Sequence, residues 1–307
     1  MIAHPALGGI PLVLGGNVFG WTAKGDAGFA VLDAFYEAGG RMIDTADVYS
    51  AWVPGHQGGE SETVIGQWLE SRGVRGEMLI HTKTGMLGGK ELYEPQRVLR
   101  SLGSSLERLR TDYVDLYYAH IDYEDVPIGE IVAAFDGAAA SGKARTLGAS
   151  KFSAARLSAA LEAADVTGAT PFTVLQDWYN LVEREHIGPE MRNLCAERGI
   201  PIVPFFSLAN GYLTGKYRSL EDVGSSVRAG RVTGLVASGA PVLAVMDEVA
   251  AETGASLAQI ALAWLRAQPG IAAPLASATS ARQVQDLCAA GDLALSDDQL
   301  SRLSLAG

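Results

Sequence analysis

Short apolar runs alternate with segments whose apolar residues recur every three or four positions, and this alternation runs the length of the chain. The runs are PLVLG (11–15), RMIDT (41–45), MLIHTK (78–83), YVDLYYAH (113–120), TLGAS (146–150), TVLQ (173–176), PIVPF (201–205) and IAAPL (271–275). Near-continuous apolarity suits parallel strands covered on both faces. The intervening patterns are helical. Phe29, Leu32 and Phe35 lie on one stripe that stops at Gly39 and Gly40, and Val64, Ile65, Trp68 and Leu69 form another. Pro95 suits a first helical position and leads into Val98, Leu102, Leu106 and Leu109. Ile128, Ile131 and Phe135 follow Pro127, and Met191, Leu194 and Cys195 follow Pro189. Ser153 is placed to cap a helix carrying Leu157 and Leu161, and Ser256 one carrying Ile260, Ala261, Trp264 and Leu265. Eight such alternations predict an α/β protein, a (β/α)8 TIM barrel forming one domain over residues 1–307, rather than an open doubly wound sheet.

Two stretches depart from the rhythm. Residues 206–240 are Gly-rich and weakly patterned, and read as a long loop after strand seven. An extra helix follows at 241–253, carried by Val242, Val245, Met246 and Val249. Further helical segments begin at Ser280 and, as a C-terminal tail, after Ser296. Loops that follow barrel strands build the active face, so the long loop belongs to that face.

Composition narrows the function. The net charge of −11 disfavours nucleic acid and acidic membrane surfaces as partners. Cys195 and Cys288 are far apart and read as reduced thiols, and no Cys/His spacing suits a metal. The N-terminal stretch lacks a basic leader pattern, and no apolar run approaches the roughly 20 residues of a membrane span. The expectation is a soluble cytoplasmic protein. A closed barrel leaves no strand edge in need of a partner, so a monomer is the default.

In a barrel strand alternate side chains point inward, and those at the C-terminal end meet at the top. Asp44 ends strand two, Lys83 strand three and His120 strand four, with Tyr49 in the loop after strand two. Neighbouring strands lie about 4.8 Å apart, so the four side chains are expected within hydrogen-bonding reach. A lysine cation lowers the pKa of a neighbouring phenol, and a carboxylate keeps that lysine charged and oriented. A histidine beside them can hold the same substrate oxygen. The set suits protonation of a carbonyl oxygen while hydride reaches its carbon, which implies a nicotinamide cofactor. His81, inward on the strand of Lys83, reads as a core histidine.

These segments resemble those of the aldo-keto reductases. MIDTADVYS, IHTK and TDYVDLYYAH are similar to the family's second, third and fourth strand ends, and LGASKFSAARL, LQDWYNLVERE and FFSLANGYLTGKY extend the likeness over nearly the whole chain. The resemblance implies that Tyr49 is the general acid/base, that Asp44 and Lys83 tune it, and that His120 orients the substrate, a small-molecule carbonyl. It also implies a cofactor path. Gly16 and Asn17 would lie near the nicotinamide, Ser150 and Gln176 would hold its carboxamide, and Phe206 would stack on its ring. Ser207, Leu208 and Gly211 would follow the pyrophosphate, and Ser277, Arg282, Gln285 and Asp286 the adenosine end.

Three positions depart from the family pattern: Lys151 replaces the usual Asn, Phe206 the usual Tyr, and Ala276 a common basic residue. Lys151, counted with Ser150 and Asp44 among the cofactor-binding residues, only donates, so it cannot reproduce both halves of an amide contact, and it adds positive potential near the substrate. Arg282 remains for a 2′-phosphate, which favours NADPH over NADH or dual use. Trp21 and Trp52, with Tyr49, suggest an aromatic wall at the substrate pocket. Two other readings share these residues. One is a cofactor-binding sensor barrel with little turnover. The other is a Schiff-base enzyme with Lys83 as nucleophile, against which Asp44 beside the amine argues.

Overall fold

The computed structural model describes residues 3–224 and 226–307. Eight parallel strands make up one sheet: β1 (Val13–Gly15), β2 (Met42–Asp44), β3 (Leu79–Thr84), β4 (Leu116–Ala119), β5 (Leu147–Ser150), β6 (Phe172–Trp178), β7 (Ile202–Phe205) and β8 (Leu275–Ala276). The strands pair in chain order from β1 to β7, and β8 joins β1. A parallel bridge from Ile202 to Ile271, just before β8, brings the remaining edges together into a (β/α)8 barrel. The expected eighth strand is split because Pro274 has no N–H to give the ladder. Its carbonyl still accepts from Val13 N at 3.0 Å, while Ala272 N donates to Ile202 O on the other side at 2.9 Å.

Helices α1 (Asp26–Glu37), α2 (Glu60–Arg72), α3 (Pro95–Leu109), α4 (Ile128–Ala140), α5 (Ala154–Thr167) and α6 (Pro189–Arg198) follow the first six strands in turn. Their apolar stripes pack on the outward residues of the sheet, as with Ile43, Ile80, Tyr117 and Leu147. The inward residues form a second, smaller core of Val13, Met42, Leu116, Tyr118, Val174, Val203, Ala273 and Leu275. Ala6 closes the lower end of that lumen, its carbonyl hydrogen-bonded to His81 Nε2 at 2.8 Å. Burial drives the His81 pKa down, so it sits there as the neutral core histidine.

Strand four is shorter than its apolar run. Asp115 turns its carboxylate to Ile80 N at 2.9 Å, Arg75 at 3.0 Å and Arg145 at 3.1 Å, and both guanidinium groups lie over the Tyr113 ring. Residues 113–115 therefore add a polar clamp at the base of the barrel to a single bridge, Val114 to Ala144, and are not part of the continuous strand.

The stretch 206–240 is not the structureless loop that its glycines suggest. It holds a 3-10 segment (Ala209–Thr214) and two helices, α7 (Leu220–Val223) and α8 (Ala229–Ser238). A reciprocal cap between Ser219 and Asp222 starts α7, and Val232 of α8 is buried. The extra helix α9 (Ala240–Thr253) and α10 (Leu257–Arg266) then lead to β8. Ser256 caps α10 as its position predicts, and Ser280 and Ser296 cap α11 (Ala281–Ala289) and the tail helix α12 (Asp297–Ala306). Cys195 is buried and Cys288 half-buried, both unpaired. Among the described residues no single helix is long and apolar enough to cross a membrane.

Candidate active site

The inward alternation that fills the lumen also selects what reaches its upper rim. Above Met42 comes Asp44, above Leu79 and His81 comes Lys83, above Leu116 and Tyr118 comes His120, and above Val174 comes Gln176. Ser150 ends β5 in register with Gln176. Tyr49 reaches this ring from the turn after β2.

Three of the four expected groups form one hydrogen-bonded unit. Lys83 Nζ donates to Asp44 Oδ2 at 2.7 Å, to the Thr45 carbonyl at 2.7 Å and to the Tyr49 oxygen at 2.9 Å. An ammonium has three N–H donors, and here three acceptors meet them. Tyr49 donates to Asp44 Oδ2 at 3.1 Å, and Gln176 Nε2 donates to Asp44 Oδ1 at 2.8 Å. Asp44 and Lys83 are both fully buried. His120 lies beside this unit without a hydrogen bond to it, its ring centre 6.0 Å from that of Tyr49.

The protonation states follow from burial. Desolvation pulls the Lys83 pKa down while Asp44 pulls it up, and the three acceptors favour the ammonium. Desolvation, followed by the Asp44 charge, holds the Tyr49 phenol well above its ordinary pKa. This corrects the expectation that Lys83 lowers it: in the resting site, low dielectric and the carboxylate outweigh the cation. His120 is driven well below its ordinary pKa by burial, then by Lys83 and Lys151, so its imidazole is neutral. Its Nδ1 is buried without a partner.

An aromatic wall rises from Tyr49. Its ring meets Trp52 at 6.1 Å, and Trp52 meets Trp21 at 5.6 Å, both edge to face. Trp52 is 46% exposed, and Met86 and Leu87 from the loop after β3 are the other large apolar side chains exposed at this rim.

The residues of the implied cofactor path are distributed as follows. Gly16 sits against β2, where an added Cβ would lie 2.7 Å from the Asp44 carbonyl. Asn17 Oδ1 accepts from Ser277 Oγ at 2.6 Å, which ties β1 to the chain after β8. Ser150 Oγ is buried and has no partner. Ala209, Asn210 and Gly211 are all left-handed (φ 47°, 57° and 93°), as is Phe206 (53°), and such strain clusters at ligand sites. Leu208 is half-buried, and Arg282 and Gln285 are exposed on α11.

Three of these side chains point elsewhere. Ser207 Oγ is buried and donates to the Pro204 carbonyl at 3.0 Å. Asp286 accepts from Ser256 Oγ and Gln259 Nε2, and so fastens α10 to α11. Phe206 leans on Trp178, ring centres 4.7 Å apart, under the Arg231 guanidinium. Phe205, one residue earlier, turns into the lumen with Val203 and presents its ring at the mouth. The signal for Phe205 was present in the period of two in PIVPF.

A second buried acid lies behind the ring. Asp47 is 3% exposed and accepts from Thr84 Oγ1 at 2.6 Å, and desolvation pushes its pKa up to about 7. Its unfolded value is 3.8, so the unfolded chain loses this proton first and folding becomes less favourable as pH rises from about 4 to about 7. The full effect is roughly 4 kcal/mol, present above both values. Asp47→Asn should therefore raise the melting temperature at pH 8 and flatten its decline between pH 5 and 8. Thermal scans at several pH values measure this, and an unchanged slope refutes it.

Residues 11–306 match the model of the Aldo/keto reductase family. A norsolorinic acid reductase of Emericella nidulans is 31% identical over 315 residues, covering 94% of this chain and 76% of that protein. An aryl-alcohol dehydrogenase [NADP(+)] of Phanerodontia chrysosporium is 29% identical, covering 92% and 76%. The uncharacterized oxidoreductase YrpG of Bacillus subtilis is 30% identical, covering 95% and 90%. With a family match over nearly its whole length and an eight-stranded barrel, the chain belongs to the aldo/keto reductase family, oxidoreductases that act on carbonyl compounds with NAD(P)H.

Proposed function

We propose that this protein reduces aromatic aldehydes or ketones to alcohols with NADPH, and that Tyr49 is the proton donor. The observation that carries this reading is the Asp44–Lys83–Tyr49 unit at the foot of the Trp21–Trp52 wall. Ser150 supports a nicotinamide there, because a buried hydroxyl without a partner awaits a ligand group at that strand end. Ser150 and Gln176 would hold the carboxamide, Phe205 would offer its ring in place of Phe206, and the left-handed turn at 209–211 would border the pyrophosphate. Arg282, exposed and without an ion-pair partner among the described residues, would meet a 2′-phosphate. When bound there, the nicotinamide would supply the hydride for the carbonyl carbon.

The protein's own part is the proton. At rest the Tyr49 O–H points to Asp44 Oδ2. With a carbonyl oxygen above it, the O–H turns to that oxygen, joined by an N–H of neutral His120. As the proton moves from the Tyr49 oxygen to the substrate oxygen, the phenolate left behind keeps the Lys83 N–H donor already 2.9 Å away. One relative is named an aryl-alcohol dehydrogenase, in keeping with the aromatic wall.

The test is loss of reduced-cofactor absorbance with NADPH or NADH and a carbonyl panel containing 4-nitrobenzaldehyde and hexanal. NADPH should be oxidised fastest with the aryl aldehyde. Preference for hexanal removes the aromatic assignment, preference for NADH removes the role of Arg282, and saturable binding with no oxidation favours a sensor.

A further inference from the structure

Lys151 is a cation at the mouth that the proton-transfer chemistry does not use. It follows inward-facing Ser150 and adopts a left-handed backbone (φ 58°), a conformation uncommon outside glycine. Its Nζ lies 3.2 Å from Met86 Sδ and 5.7 Å from the centre of the Phe205 ring. A thioether is a weak acceptor and a phenyl face a weak cation site. Among the described residues no carboxylate oxygen comes within 4.0 Å of this ammonium. Lys83, by contrast, holds Asp44 at 2.7 Å.

The charges around Lys151 leave it uncompensated. Lys83 on β3 and Arg231 on α8 repel it, and His120 after β4 is neutral. Asp177 on β6 is the one acid that acts on it, and that carboxylate is buried and accepts from Trp178 N at 2.7 Å. Half-burial, then these like charges, bring the Lys151 pKa down to about 8. A half-buried cation next to a second cation is unfavourable unless something neutralises it. Its direct neighbour, Met86, belongs to the exposed apolar rim that also includes Leu87 and Trp52.

We propose that Lys151 is a specificity residue that pairs with an anionic oxygen, a carboxylate or an ionised phenol, carried by the aromatic carbonyl substrate. This rests on the reading that aromatic carbonyls are reduced at Tyr49. The aromatic wall receives the ring, Tyr49 and His120 the carbonyl, and Lys151 the charged substituent. The turn at 209–211, which would border the pyrophosphate, follows β7, whereas Lys151 contacts Met86 in the loop after β3, which puts its charge on the substrate side of the mouth.

The experiment compares kcat/KM for 4-carboxybenzaldehyde with that for its neutral methyl ester, methyl 4-formylbenzoate. The natural protein should favour the acid by about tenfold, the scale of one charge-assisted hydrogen bond. That ratio should collapse toward one in Lys151→Met and Lys151→Gln and persist in Lys151→Arg. It should also decline as pH rises through about 8, where Lys151 loses its charge, and not near 6, where Asp177 titrates. An unchanged ratio in the Met and Gln variants, an equal loss on acid and ester, or a matching loss of NADPH affinity overturns the proposal.

Should the natural protein reduce neither compound, the Tyr49 reading fails separately. Binding then decides the present proposal. Quenching of tryptophan fluorescence by 4-methylbenzoate and by 4-methylbenzamide, in the presence of NADP+, should show a preference for the anion that Lys151→Met abolishes. Equal binding of the two overturns it.

Discussion

Replacing Tyr49 by Phe should lower the turnover of an aryl aldehyde by about two to four orders of magnitude, the usual share of a positioned general acid. The ring and its contacts with Trp52 and His120 remain, so the wall and the cofactor path keep their shape. What leaves is a hydroxyl with two roles in the resting site, donor to Asp44 and acceptor from Lys83. Lys83 retains Asp44 and the Thr45 carbonyl, and Asp44 retains Lys83 and Gln176. The stability loss should therefore be modest, about 1 kcal/mol. NADPH affinity, read by fluorescence quenching, should stay within about twofold, because the Tyr49 oxygen bonds Asp44 and Lys83 and not Ser150, Gln176 or Arg282, the residues proposed to hold the cofactor. Because burial and Asp44 keep the phenol protonated, kcat of the natural protein should not fall through loss of this proton anywhere in the neutral range. A Tyr49→Phe protein that retains a tenth of the original kcat would refute the assignment.

The strand ends were readable before any coordinates because a period of two is a geometric rule. Once MIDT and IHTK are taken as buried parallel strands, Asp44 and Lys83 must share the lumen with Met42 and Leu79. Tertiary bonding was less legible. Nothing in the apolar run around Tyr113 shows that Asp115 will bind two arginines at the base of the barrel. The helices within 206–240 were hidden because Gly and Ala blur periodicity, while a reciprocal cap such as Ser219–Asp222 is visible only when both bonds form. Likeness to a motif points to Phe206. The alternation within β7 favours Phe205, since Val203 is inward and the next inward residue is two positions on. The direction of the Tyr49 shift was missed for a related reason. Proximity of a cation can be guessed from spacing, but complete desolvation of the group cannot.

Lys83→Met should damage both stability and catalysis, and the two effects should separate in a double variant. Methionine matches the length of the lysine stem, so little volume is lost at a fully buried site. The charge is lost, which leaves the Asp44 carboxylate fully buried with only Tyr49 and Gln176 as donors. Removing one partner of a buried ion pair costs about 3–5 kcal/mol, because the other charge stays uncompensated. For a chain of this size, that lowers the melting temperature by roughly 5–8 °C. Catalysis should fall by at least about a hundredfold, since no cation faces the developing phenolate. Adding Asp44→Asn removes the stranded carboxylate, so Lys83→Met/Asp44→Asn should recover most of the lost stability in urea unfolding, a coupling characteristic of groups in direct contact. Turnover should not recover with it, because the donor to the Tyr49 oxygen is still missing. If activity returns along with stability, the pair only scaffolds the barrel mouth. If Lys83→Met costs less than about 1 kcal/mol, the native pair is not ionic, and the phenolate must be stabilised by other groups.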